Sequence, residues 1–343
     1  MSRIQGTNLG SVRQSDGAIR LHRLENPYAP TDAVAEALAD CEPVSETADE
    51  MAADIRRRLG RIAGVDERWV VLANGIDQLY EGLVQWQVDS GPFAVFPPTQ
   101  LGELQRVLDK GGDVEVASRT EVFELGLSTT ARRFPLNSIS VVLSPNDPTG
   151  TLVDLHQLVR LSRQSRLAVI DERHGAYTPR STAPFAREFD NVVVLQSMEW
   201  WAGLRETPLA WAICPPSLGN ALQEAMGDPE IHRPALIAAR ATLDDWSWLQ
   251  GTLRWVSMEK GRLFRQLRKL NMLYTPYPSW ANFVLTRFAR GSVDFFVPRL
   301  EERGIVVHVP DQDLLPDHIR VSAVSAETTD ALKRALIDIA LDL

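Results

Sequence analysis

The chain has 343 residues, 44% of them hydrophobic, enough to bury one large core and a smaller one. Its net charge of -9 argues against nucleic acid or an anionic membrane as a partner. No apolar run approaches a membrane span, residues 1–20 carry no signal-peptide core, and Cys41 and Cys214 form no zinc or redox motif, so a reducing cytoplasm is the expected compartment.

Seven short, β-branched apolar runs follow one another between residues 69 and 214: WVVLA (69–73), FAVFP (93–97), DVEVAS (113–118), SISVVLS (138–144), LAVID (167–171), NVVVLQS (191–197) and LAWAIC (209–214). Amphipathic helix patterns at 76–88, 101–108 and 153–165 separate several of them. Strands alternating with helices predict an α/β fold with a mainly parallel, doubly wound sheet covered on both faces. From about 234 to 270 the pattern is helical throughout. Strand patterns at 282–287, 305–310 and 318–324 then surround a helix at 294–303, and a last amphipathic helix spans 327–341. The expected division is a large α/β domain over 46–245. The smaller α+β domain is built from 1–45 and 246–343.

Eight motifs, taken in order, resemble the class I/II aminotransferases of fold type I, most closely the histidinol-phosphate aminotransferase branch. They are LENPYAP (24–30), ANGIDQLYEGL (73–83), PPTQ (97–100), SPNDPTG (144–150), IDERH (170–174), AGLR (202–205), PSWANFVL (278–285) and HIRVSAVSAETTDAL (318–332). Each match is weak alone; their order across nearly the whole chain is what carries the resemblance. It implies a seven-stranded sheet between helices and a homodimer whose active sites lie at the interface.

The resemblance also assigns roles. The turn at Gly75 and the helix after it would receive the phosphate of pyridoxal phosphate on backbone N–H groups. Asp171 would pair with the pyridine nitrogen, Arg205 would bind the phosphate, and Arg320 would fork onto a substrate carboxylate. Other positions depart from the family. Gln100 replaces the ring that stacks on the pyridine. Asp147 replaces the asparagine, and His174 the tyrosine, that hydrogen-bond its phenolic oxygen. Glu42 stands where a tyrosine reaches the phosphate across the dimer. The Schiff-base lysine falls at Ser197 when counted back from Arg205, or at Met198 if one residue is deleted. Arginine outnumbers lysine 32 to 4, and no lysine lies between Lys110 and Lys260. Without an amine at that place, no internal aldimine can hold the cofactor. No cofactor is therefore expected covalently, although non-covalent pyridoxal phosphate stays open.

What remains is a polar cluster of Asp147, Asp171, His174 and Glu199, expected near the C-terminal edge of the sheet, facing Arg205 and Arg320. Such a cluster suits acid–base work on a small anionic ligand. No sequence-local spacing marks a metal site. Trp200 and Trp201 are expected to fill space left by the cofactor, Lys260 to be solvated on a basic helix face, Asn282 to be a structural turn residue and His308 to sit on a strand face. Three functions follow. The first is an enzyme or binder acting on an amino-acid-like carboxylate without Schiff-base chemistry. The second is a non-catalytic ligand-binding, regulatory or scaffold subunit, alone or paired with a lysine-bearing homologue. The third is a transaminase with an unrecognised base.

Overall fold

A computed structural model describes residues 17–40, 46–100, 102, 105–117, 119–127, 137–179 and 181–343. Cys41 and Glu42 lie outside the described residues, as does Ser118.

The chain opens with a two-residue strand, β1 (Ile19–Arg20), and two helices, α1 (Asp32–Ala39) and α2 (Ala48–Ala63). Next come β2 (Val70–Ala73), α3 (Ile76–Gln87), β3 (Phe93–Val95), α4 (Gln105–Asp109), β4 (Val114–Val116), β5 (Ile139–Leu143), α5 (Leu155–Gln164), β6 (Leu167–Asp171), β7 (Val192–Ser197) and β8 (Ala210–Ile213). The second half continues with α6 (Pro216–Ala225), α7 (Arg233–Asp244), α8 (Trp246–Arg268), β9 (Tyr274–Pro276), β10 (Phe283–Phe288), α9 (Val293–Glu301), β11 (Ile305–Val306), β12 (His318–Ser322) and α10 (Ala326–Ala340).

All seven predicted strands form one sheet in the order β2-β8-β7-β6-β5-β3-β4, in which β8 alone runs against the rest. β5, β6 and most of β7 are buried throughout, which explains why their sequences read as continuous apolar runs rather than alternating ones. The two faces nevertheless differ. Ala168, Ile170, Val192 and Val194 point into one core with Met51, Ile55 and Leu236; Leu167, Val169, Val193 and Leu195 point into the other, against Leu79, Tyr80 and Leu83 of α3. Cys214 is buried in the second core, where burial pushes its thiol up to about 12, so it is an inert packing group.

In the C-terminal part, β10 is the centre of an antiparallel sheet ordered β12-β10-β9. Leu332, Ala335, Leu336 and Ile339 of α10 are buried as their spacing predicted. The predicted strand at 305–310 divides in two. Ile305 and Val306 pair with β1, whereas His308 makes a separate bridge to Arg320 of β12. That change of partner puts His308 beside the sheet edge where the functional residues gather. Of the helix predicted at 101–108, the described part runs from Gln105.

Candidate active site

Four segments end at one edge of the large sheet because β2, β5, β6 and β7 run in the same direction. They deliver the N-terminus of α3, the 144–150 turn, Asp171 with the residues after it, and Ser197 with the residues after it. Open α/β sheets bind ligands at this edge.

Asp171 has no exposed surface. Its Oδ1 accepts from the backbone N–H of Arg173 at 2.9 Å. Its Oδ2 accepts from the Tyr80 hydroxyl at 2.8 Å and from Nε and Nη2 of Arg173 at 2.9 and 2.5 Å. The guanidinium carbon lies 5.6 Å from the Tyr80 ring centroid and 5.4 Å from that of Trp200, so a planar cation is held against aromatic faces beside a buried carboxylate. Sequence reasoning singled out Asp171 and passed over Arg173. The available signal was an arginine, rather than a small residue, two positions after a carboxylate ending a buried strand.

Glu199 caps α3. Its Oε1 accepts from the backbone N–H of Ile76 at 2.7 Å and from the Ser197 hydroxyl at 2.9 Å. Burial pushes its carboxyl up, against the pull of these hydrogen bonds and of Arg173. Gly75, with φ at +92°, begins the turn, and a Cβ there would stand 3.1 Å from Pro208 and 3.3 Å from the Glu199 oxygen. The two candidates for the lysine position face opposite ways. Ser197 turns its hydroxyl to Glu199, while Met198 is buried in the core on the other side of the sheet.

Asp147 and Arg320 form a second buried ion pair, with Nη1 2.6 and 2.5 Å from the two carboxylate oxygens. Nη2 of Arg320 donates to the His22 carbonyl at 2.8 Å, and its Nε has no partner. Gln100, in place of an aromatic ring, sets its amide nitrogen 2.7 Å from Nε2 of His308. His308 lies beyond the end of β11 in its bridge to Arg320, where burial and then Arg320 lower it to about 4.

His174 is 2% exposed, with its ring edge toward Trp200 and Phe283. Burial depresses it to about 4, against the opposing pull of Asp147, so it is a neutral imidazole near pH 7. Its Nδ1 is buried without a hydrogen-bond partner.

Arg205 is mostly exposed and pairs with Glu25 at 2.9 Å. Burial raises the Glu25 carboxyl, but the Arg205 guanidinium, a backbone hydrogen bond and the charge of Arg23 together outweigh it, and the net shift is downward. Lys260 departs from expectation: it is half-buried, its amine donates to the Ser279 carbonyl, and burial lowers its pKa. The apolar length of the α8 face carries it inward. Trp200 lines the site, whereas Trp201 belongs to the core and meets Trp246 edge-on. Asn282 is buried, with its amide nitrogen on the Leu24 carbonyl, and so fastens the 24–30 arm.

Two adjoining compartments open among these groups. One, of about 410 Å³, is lined by Gln100, Asp147, Arg173, His174 and Trp200, with Arg106 and Asp77 toward its mouth. The other, of about 560 Å³, holds His22, Arg23, Glu25, Arg205 and Arg320 and shares Gln100 and Trp200 with the first. Both volumes suit a small ligand. Among the described residues, no group of three histidine, cysteine or acidic side chains is arranged to hold a metal.

The family model for aminotransferase class I and II matches residues 126–339. The chain belongs to the class I/II aminotransferase family. A histidinol-phosphate aminotransferase from Dehalococcoides mccartyi is 26% identical over 328 residues, covering 95% of this chain and 91% of that one. Among solved structures, the histidinol-phosphate aminotransferase of Clostridium acetobutylicum superposes with a TM-score of 0.83 at 16% identity, covering 95% of this chain and all of the other. That of Sinorhizobium meliloti, in complex with pyridoxal 5'-phosphate, superposes with a TM-score of 0.80 at 21% identity, over 95% and 91% of the two chains. These likenesses show the same fold for this aminotransferase-family chain.

The residues of this family member do not fit pyridoxal phosphate. The phosphate would meet the Glu199 carboxylate at the start of α3. The pyridine nitrogen would need Asp171, whose two oxygens already take four hydrogen bonds. None of the four lysines lines either compartment. Lys110 bonds Gln85, Lys333 bonds Gln266, Lys260 bonds Ser279, and Lys269 caps the end of α8.

Proposed function

We propose that this aminotransferase-family protein carries out no conventional transamination and instead binds, and acts on, a small amino-acid-like carboxylate without Schiff-base chemistry. The observation that carries this reading is His174: a neutral, buried imidazole with an unpartnered Nδ1, beside a cavity that also presents Asp147 and Arg173. A polar nitrogen left unpaired in a buried place is costly unless something meets it. A ligand amine or hydroxyl supplies that partner. Arg23, Arg205 and Arg320 in the neighbouring compartment suit a carboxylate at the other end of the same molecule. The second compartment holds more arginine than carboxylate, while the first sets Asp77 and Asp147 against Arg106 and Arg173, a combination that suits a zwitterion better than a simple anion.

In this reading His174 orients the ligand and exchanges a proton with it, Arg320 with Asp147 sets the charge of the cavity wall, and Trp200 keeps water from the shared boundary. The test is a calorimetric screen of amino acids and their hydroxy- and N-acyl analogues. At least one should bind saturably, and His174→Phe should weaken it tenfold or more. Either no binder in that set or equal affinity in the variant would remove the reading.

A further inference from the structure

The fold resembled by this chain needs two charges balanced where its cofactor would lie: the positive N-terminus of α3, and the buried Asp171 carboxylate. Both are balanced here from within the chain. We infer that Glu199 and Arg173 are built-in replacements for the cofactor, the carboxylate standing in for its phosphate and the guanidinium for its ring cation.

Three observations join to support this. A single Glu199 oxygen takes both the Ile76 backbone N–H and the Ser197 hydroxyl, the kind of donor pair that holds one phosphate oxygen. Gly75, at φ +92°, keeps the approach to those donors open, and Glu199 is the group that fills it. At the other end Arg173 is planar, cationic and held near two aromatic faces, and it meets Asp171 through two N–H groups, where a protonated ring nitrogen would offer one. The replacements sit two residues beyond the ends of neighbouring strands, β6 and β7, so each enters the site from a rigid support. A consequence concerns ligand class. The start of α3 is closed to phosphate, so whatever enters the cavity carries no phosphate at that end. The inference does not depend on which ligand the His174 cavity takes.

The experiment titrates the full-length protein with inorganic phosphate and, separately, with pyridoxal phosphate, following heat and the fluorescence of the tryptophans. The native protein should bind both weakly. Glu199→Ala should bind inorganic phosphate at least tenfold more tightly than the native protein. Arg173→Ala/Glu199→Ala should gain a further tenfold for pyridoxal phosphate over Glu199→Ala. A residue that only propped up the fold would produce no gain of either ligand when removed. Equal phosphate affinity in the native protein and in Glu199→Ala would overturn the inference, as would native binding of pyridoxal phosphate as tight as that of the double variant. Where the double variant does not fold, the phosphate comparison between the native protein and Glu199→Ala decides alone. Failure here would leave the amino-acid screen untouched, so the two ideas can fall separately.

Discussion

At the scale of single residues, the site is a set of internal pairings. Asp147 is the clearest case, since both oxygens of its carboxylate rest on Nη1 of Arg320 and offset the charge that would draw a ligand carboxylate. Asp147→Asn removes one charge of a buried pair and leaves the other uncompensated, which should cost roughly 3 kcal/mol of stability. It also frees the guanidinium, so glutamate should bind at least tenfold more tightly. Urea denaturation and calorimetry would read the two effects, and a variant unchanged in both would mean that the pair is neither structural nor competitive. His174 gives a pH prediction. It titrates near 6.5 when unfolded and near 4 when folded, chiefly because burial strips its hydration. Its neutral form therefore imposes no penalty above about pH 6.5. As pH falls from there toward 4, the unfolded chain takes up a proton that the folded chain does not, and stability declines. His308 adds to the same decline. His174→Gln should flatten the slope between about pH 6.5 and 4.5, measured by urea denaturation. An unaltered slope would contradict a neutral, buried imidazole.

At the scale of elements, the strands were legible because each central one is buried on both faces and must be apolar along its whole length. The split of 305–310 was not, because Val306 and His308 take different partners, β1 near the start of the described chain and β12 just downstream. The site was half legible for a similar reason. Asp147, Asp171, His174, Glu199 and Arg320 could be named from their motifs, but who pairs with whom depends on side-chain direction at strand ends. Arg173 was overlooked because nothing local distinguishes a buried arginine from a solvated one. The start of α3 offers an element-scale test. Gly75→Ala forces a Cβ into a positive-φ turn against Pro208 and the Glu199 carboxylate. It should cost about 1–3 kcal/mol in urea denaturation, and a loss below about 0.5 kcal/mol would mean that the turn relaxes freely.

For the whole molecule, the fold is that of an aminotransferase, and at its strand ends Asp171 pairs with Arg173 and Asp147 with Arg320. The seven-stranded sheet, the two cores on its faces and the antiparallel C-terminal sheet supply a rigid edge on which small changes of side chain alter the chemistry without altering the frame. The family resemblance predicts a homodimer. Sedimentation velocity at micromolar concentration should give a single species of twice the chain mass, and a monomer would contradict it. The central claim, that these residues do not support Schiff-base chemistry, has a direct test. The purified protein would be incubated with excess pyridoxal phosphate, its absorbance recorded, then reduced with borohydride and weighed intact. The account predicts no imine band and an unchanged mass. A stoichiometric adduct, on the half-buried Lys260 or any other lysine, would contradict it.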